Sequence, residues 1–106
     1  MKNLFLLRHC EAYHFEENKS DHEKQLNENG RKCARLLKRW FEKNDIILDY
    51  ILTSSANRTL TTANIIFNNY ENKICQKKEL YLCDFKEILK EVKLLDNNFN
   101  AVVIVG

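Results

Sequence analysis

The sequence predicts an α/β fold of three layers, with helices on both faces of a mainly parallel central sheet. Three observations predict it: short apolar runs that read as strands, amphipathic helical stretches between them, and a length of 106 residues that suits one domain with one core, residues 1–106. Strands alternating with helices imply right-handed crossovers, and hence parallel pairing with helices on both faces.

Leu4 to Leu7 form a continuous apolar run that suits a strand buried on both faces of such a sheet. Residues 11 to 25 are polar and have no repeating apolar face, so they read as a loop that moves over whatever lies beside it. Asn27 caps a helix whose apolar positions Cys33, Ala34, Leu36, Leu37, Trp40 and Phe41 share one face. Glu28 near its start and Lys43 near its end complement the helix dipole. Asp49 to Thr53 reads as a second strand. Ser54 or Ser55 then caps a helix in which Ala56, Leu60, Ala63 and Phe67 recur at helical spacing, with Arg58 in its first turn. Residues 74 to 82 alternate weakly, as an edge strand would. Asp84 and Glu87 form a capping box for a third helix with Phe85, Ile88, Leu89, Val92 and Leu95 as its inward stripe, and Ala101 to Val105 is a buried strand.

Composition excludes several classes of function. Hydrophobic residues are 44% and charged residues 30% of the chain, an ordinary globular balance, and the formal net charge of +2 is spread without a basic stripe for nucleic acid or a membrane surface. No apolar run approaches the ~20 residues of a membrane span, and Met1-Lys2-Asn3 leads into the first strand without a cleavage pattern, so a cytoplasmic protein is expected. Cys10, Cys33, Cys75 and Cys83 show neither a disulfide framework nor C-x-x-C spacing. With no H-E-x-x-H either, no metal is expected.

In a parallel sheet, ligands bind beyond the carboxyl ends of the strands. Those positions hold Arg8-His9 after the first strand, Ser54 to Arg58 after the second, and Gly106 after the last. Two of the five arginines therefore fall where a forked cation can hold an anion, beside a helix N-terminus. With two glycines and no Gly-rich phosphate loop, side chains would have to hold a phosphate. His9 beside that clamp could attack phosphorus as a neutral imidazole; taken alone, such a pair after a strand is more often an ordinary surface or capping pair.

Four blocks resemble the histidine phosphatase superfamily, the phosphoglycerate mutase-like proteins. Leu6-Leu7-Arg8-His9-Cys10-Glu11-Ala12 resembles the family's strand and Arg-His-Gly. Leu26-Asn27-Glu28-Asn29-Gly30 is similar to its Leu-Thr-x-x-Gly, Leu52 to Ala63 to its Ser-Pro-x-x-Arg-Ala-x-Gln-Thr-Ala block, and Ala101 to Gly106 to the strand and glycine before its second catalytic histidine. The short layout after Glu79-Leu80-Tyr81 looks most like the small bacterial phosphohistidine phosphatases.

The resemblance implies two-step phosphoryl transfer without a cofactor: His9 takes the phosphoryl group, Arg8 and Arg58 stabilise its oxygens, and water releases phosphate. The expected partner is a phosphorylated protein or a small phosphate ester; the oligomeric state stays open. Glu79 aligns with the acidic residue that protonates the leaving group in larger relatives, or else is a solvated strand-end charge. Cys10 stands where the family has glycine, and its thiolate would be favoured by the neighbouring cations unless it is an ordinary unreactive thiol. The second histidine would come directly after Gly106, so the resemblance also implies a fold incomplete at the C-terminus, in a truncated product or fragment that leaves one side of the last strand uncovered. His14 and His22, read as solvated loop residues, would not replace that histidine. The alternative function is a catalytically inactive phosphate-binding or interaction module.

Overall fold

The computed structural model describes residues 3–106; the reading of Met1 and Lys2 lies outside them. Among the described residues, β1 (Asn3–Leu7), α1 (Glu28–Lys43), β2 (Tyr50–Ser54), α2 (Asn57–Ile66), β3 (Ile74–Lys77), α3 (Phe85–Lys93) and β4 (Ala101–Val105) follow in chain order. The four strands are all parallel in the order β1-β4-β2-β3. Helices α1 and α2 cover one face and α3 the other, which is the expected three-layer arrangement.

β4 is buried at every residue because it is paired on both sides, Val103 with Phe5 of β1 and with Ile51 of β2. The Asp49 carboxylate fixes its start, accepting from the backbone N–H of Asn100 at 2.7 Å and of Ala101 at 2.9 Å. The larger core lies under α1 and α2, where Phe41 meets Phe5 and Phe67 edge-on at centroid distances of 5.7 and 5.1 Å. These rings join the first strand to both helices. On the opposite face Leu52, Leu80 and Ile104 pack with Ile88, Val92 and Leu95.

Several expectations change. β1 is an edge strand, not one buried on both faces: Phe5 and Leu7 pack inward, while Leu4 and Leu6 remain 40% and 60% exposed because α3 does not reach over them. The uncovered apolar surface thus lies on β1, and β4 sits in the middle of the sheet. In α1 only Gly30, Ala34, Leu37 and Phe41 face inward; Leu36 and Trp40 are exposed because the helix contacts the sheet along a narrow line. Phe85 and Leu89 are likewise exposed on α3. β3 ends at Lys77, where the chain turns into a short 3-10 segment, Lys78–Leu80. No helix among the described residues is long and apolar enough to cross a membrane.

Gly30 has a specific steric role. A Cβ placed there would stand 2.0 Å from the backbone carbonyl oxygen of Glu11, so α1 approaches the segment after His9 as closely as a glycine allows. Asn27 stitches the same approach together: its backbone N–H donates to the Glu11 carbonyl at 3.1 Å while its side chain caps α1 through the Gly30 N–H at 2.8 Å. Gly30→Ala gains helix propensity but must displace that backbone, and overpacking of this kind costs about 1–3 kcal/mol. Chemical denaturation should show a net loss of stability in that range; an unchanged midpoint would show that the contact is soft.

Candidate phosphate site

The parallel pairing carries β1 and β2 to the same rim of the sheet. Beyond β1, the chain continues its pairing for one more residue, with the His9 N–H donating to the Gly106 carbonyl at 3.0 Å and the Gly106 N–H to the Leu7 carbonyl at 2.9 Å. Beyond β2, Ser54 to Ala56 lead into α2, whose first turn carries Arg58. Arg8, His9 and Arg58 together line two adjoining cavities. One, of about 390 Å³, is walled by Cys10 to His14, Asp21 and Lys24. The other, of about 450 Å³, is walled by Ser54, Thr59, Leu80 to Cys83, Ile88 and Gly106.

His9 is half-buried between them, and its protonation is set by its own turn. Its Nδ1 lies 2.7 Å from the Cys10 carbonyl oxygen, which can only accept, so Nδ1 carries the proton and Nε2 keeps its lone pair. Burial holds the imidazole pKa below its ordinary value of 6.5; the Cys10 carbonyl opposes this, and Arg58 and Arg8 push further down. Near pH 7 this is a neutral imidazole with a free Nε2 among cations.

The spacing between His9 and Arg58 is maintained by Thr62. Its Oγ1 accepts from the Cys10 N–H at 3.1 Å and donates to the Arg58 carbonyl at 2.8 Å, so one buried hydroxyl ties the turn after β1 to the first turn of α2. The side chain of Arg58 is 11% exposed and bonds the loop residue Asp21 through Nη1 to the backbone carbonyl at 2.7 Å and through Nη2 to Oδ2 at 3.2 Å. Arg8 is exposed at the rim.

The loop of residues 11 to 25 is tied down along its length. Ala12 bridges Leu26, the Tyr13 N–H donates to the Gln25 carbonyl at 3.0 Å, and Asp21–Glu23 form a 3-10 turn opened by Ser20. In that turn the Glu23 carboxylate accepts from both the N–H and the hydroxyl of Ser20. His14 is an exposed loop residue at the wall of the first cavity, as expected, whereas His22 is half-buried, 2.8 Å from Ser55 Oγ and edge-on to Tyr81, and is therefore not simply solvated. Neither serine caps α2, because the helix begins later, at Asn57: Ala56 stands at the cap without a side-chain bond, and the Ser55 hydroxyl bonds His22 instead. Glu79 is exposed and lines neither cavity. Among the described residues no group of three His, Cys, Asp or Glu side chains is placed to hold a metal ion.

Sequence reasoning missed Asp21, Thr62 and Tyr81. Ser20-x-x-Glu23 is a capping-box pattern that could have placed a structured turn at Asp21. Thr62 and Tyr81 had no such signal.

Cys10 is buried, and burial, with the Cys33 thiol beside it, pushes its thiol up to about 11. Desolvation outweighs the nearby cations, so the thiol form is favoured over the thiolate. Cys33 is exposed on α1. Iodoacetamide should alkylate Cys33 at least about ten-fold faster than Cys10, since the thiolate is the nucleophile; peptide mapping of a time course measures it, and equal rates would contradict the burial argument.

Comparison with known proteins gives these features a family. The family model for the histidine phosphatase superfamily, branch 1, matches residues 4–90. No curated protein matches the sequence. Among solved structures, the SixA protein from Agrobacterium tumefaciens superposes with a TM-score of 0.88 at 24% identity, covering 97% of this chain and 67% of that one. SixA from Nakamurella multipartitia gives 0.85 at 27% identity, with 97% and 57% covered. A tungstate complex of the protein histidine phosphatase SixA gives 0.87 at 22% identity, with 97% and 67% covered. The chain thus spans about two thirds or less of the length of these relatives, and with them shares its parallel sheet and its helices. On the strength of the family match over most of its length, the chain belongs to the histidine phosphatase superfamily.

Proposed function

We propose that this protein removes phosphoryl groups through a phosphohistidine intermediate on His9, acting on phosphohistidine in a protein or on a small phosphomonoester. The observation that carries the reading is the His9 tautomer: with Nδ1–H bonded to the Cys10 carbonyl, Nε2 is a free nucleophile in a cavity it shares with two guanidinium groups. Nε2 attacks phosphorus, the bond from phosphorus to the leaving nitrogen or oxygen breaks, and the leaving group takes a proton. Water then attacks the phosphohistidine, releasing inorganic phosphate and restoring the imidazole. Arg8 and Arg58 supply the positive charge that meets the negative charge developing on the phosphoryl oxygens.

Two features favour a phosphorylated protein among the substrates. The site lies open along the sheet rim between a loop and a helix, and the solved relatives include a protein histidine phosphatase. A phosphohistidine leaving group is itself an imidazole that departs readily, which fits a site where Glu79 lines neither cavity.

Incubation with a phosphohistidine peptide should release phosphate and leave a phosphoryl adduct detectable by intact mass under mild alkaline conditions. His9→Ala should abolish both, and Arg58→Ala should slow turnover by about a hundred-fold or more, as when one preorganised donor is removed. Phosphate that raises the melting temperature of the wild-type chain without turnover would favour the binding-module reading instead.

The pH dependence has a definite sign. The reactive form is the neutral imidazole, and a lowered pKa keeps His9 neutral further into acid. The rate of adduct formation should be flat around neutrality and fall as pH drops through a midpoint below 6.5. A midpoint at or above that value would remove His9 as the titrating nucleophile.

A further inference from the structure

Asp21 is the residue on which Arg58 is anchored. It takes two hydrogen bonds from two different guanidinium nitrogens, one on its backbone carbonyl and one on Oδ2. The same Oδ2 accepts from the Tyr81 hydroxyl, and the Tyr81 ring stands 5.9 Å from the guanidinium carbon. Lys24 Nζ lies 3.8 Å from the other oxygen, Oδ1. These contacts join three segments that are remote in sequence: the loop after β1, the first turn of α2 and the turn after β3.

A guanidinium carries five N–H donors in one plane. Engaging one on each terminal nitrogen fixes the rotation of that plane and leaves three donors for an anion. A free arginine would have to give up its rotamer freedom when the anion arrives, and an anchored one has already done so.

We propose that Asp21 is a positioning residue for Arg58, its two oxygens setting the guanidinium plane against the oxyanion beside His9 while Tyr81 holds the Asp21 carboxylate in place. The proposal rests on the phosphate site described above. Asp21 does not touch the reacting atoms; it acts through Arg58.

The carboxylate has two opposed effects on a bound phosphate. Its charge repels the anion, and its hydrogen bonds orient the donor. Asp21→Asn removes the charge and keeps a side-chain acceptor; Asp21→Ala removes both. Both keep the backbone carbonyl that accepts from Nη1, so the difference between them reports what the side-chain acceptor adds to the orientation.

The experiment is calorimetric titration of inorganic phosphate into the whole chain, with thermal melts of each variant. Asp21→Ala should bind phosphate about five-fold more weakly than Asp21→Asn, the effect of losing one hydrogen bond, at matched melting temperatures. Tyr81→Phe, which leaves every charge in place, should also bind more weakly than wild type. Equal affinities in Asp21→Ala and Asp21→Asn, with binding lost in Arg58→Ala, would overturn the positioning role and leave the phosphate site standing. If Asp21→Ala does not fold, an unchanged affinity in Tyr81→Phe would overturn it. Undiminished binding in Arg58→Ala would instead remove the phosphate site, and the positioning role with it.

Discussion

The insertion of β4 between β1 and β2 is the constraint on which the site depends. Strands in a sheet stand about 4.8 Å apart, so two strands separated by one neighbour end about 10 Å from each other. That is room for one tetrahedral anion between side chains reaching from both sides. Arg8 and His9 come from one strand end and Arg58 from the helix that follows the other. Neither segment assembles the group alone, and β4, pinned by the Asp49 carboxylate, holds them at that interval.

Within that interval the electrostatics favour a dianion and a neutral nucleophile together. Permanent positive charge on Arg8 and Arg58 disfavours protonation of His9 and, in the proposed reaction, would by the same field draw in the phosphate. Burial acts in the same direction on the imidazole and, at the next residue, in the direction that keeps the Cys10 thiol protonated. Two adjacent side chains, one nitrogen and one sulfur, are thereby given opposite availability: the imidazole lone pair is free and the thiol is withheld.

The rule that ligands bind at the carboxyl ends of parallel strands picked out Arg8, His9 and Arg58, because each is adjacent in sequence to an element whose pattern is local. The helices α1, α2 and α3 were readable for the same reason, from Asn27 and Asp84 as caps and from periodic apolar positions. What the pattern could not carry was contact across distance. Arg58 meets Asp21 from 37 residues away, Cys10 meets Thr62 from 52 and Tyr81 meets Asp21 from 60. Ser55 failed as a predicted cap because α2 starts two residues beyond it, and its hydroxyl meets a histidine from the loop, 33 residues earlier. Burial was misjudged along β1, Leu36, Trp40, Phe85 and Leu89, since apolar character states what a side chain prefers, while the sheet order and the reach of each helix decide what is covered.

The edge position of β1 bears on His9, the proposed nucleophile. Among the described residues the one strand neighbour of β1 is β4, and the backbone of His9 itself is held to the sheet by a bond to Gly106. The next residue is held from another direction: the Cys10 N–H bonds Thr62 Oγ1, so the turn that aims the imidazole leans on the same helix that carries Arg58, and that helix packs into the larger core. A shift of α2 would therefore carry both sides of the proposed site together, the imidazole turn through Thr62 and the guanidinium through its own backbone.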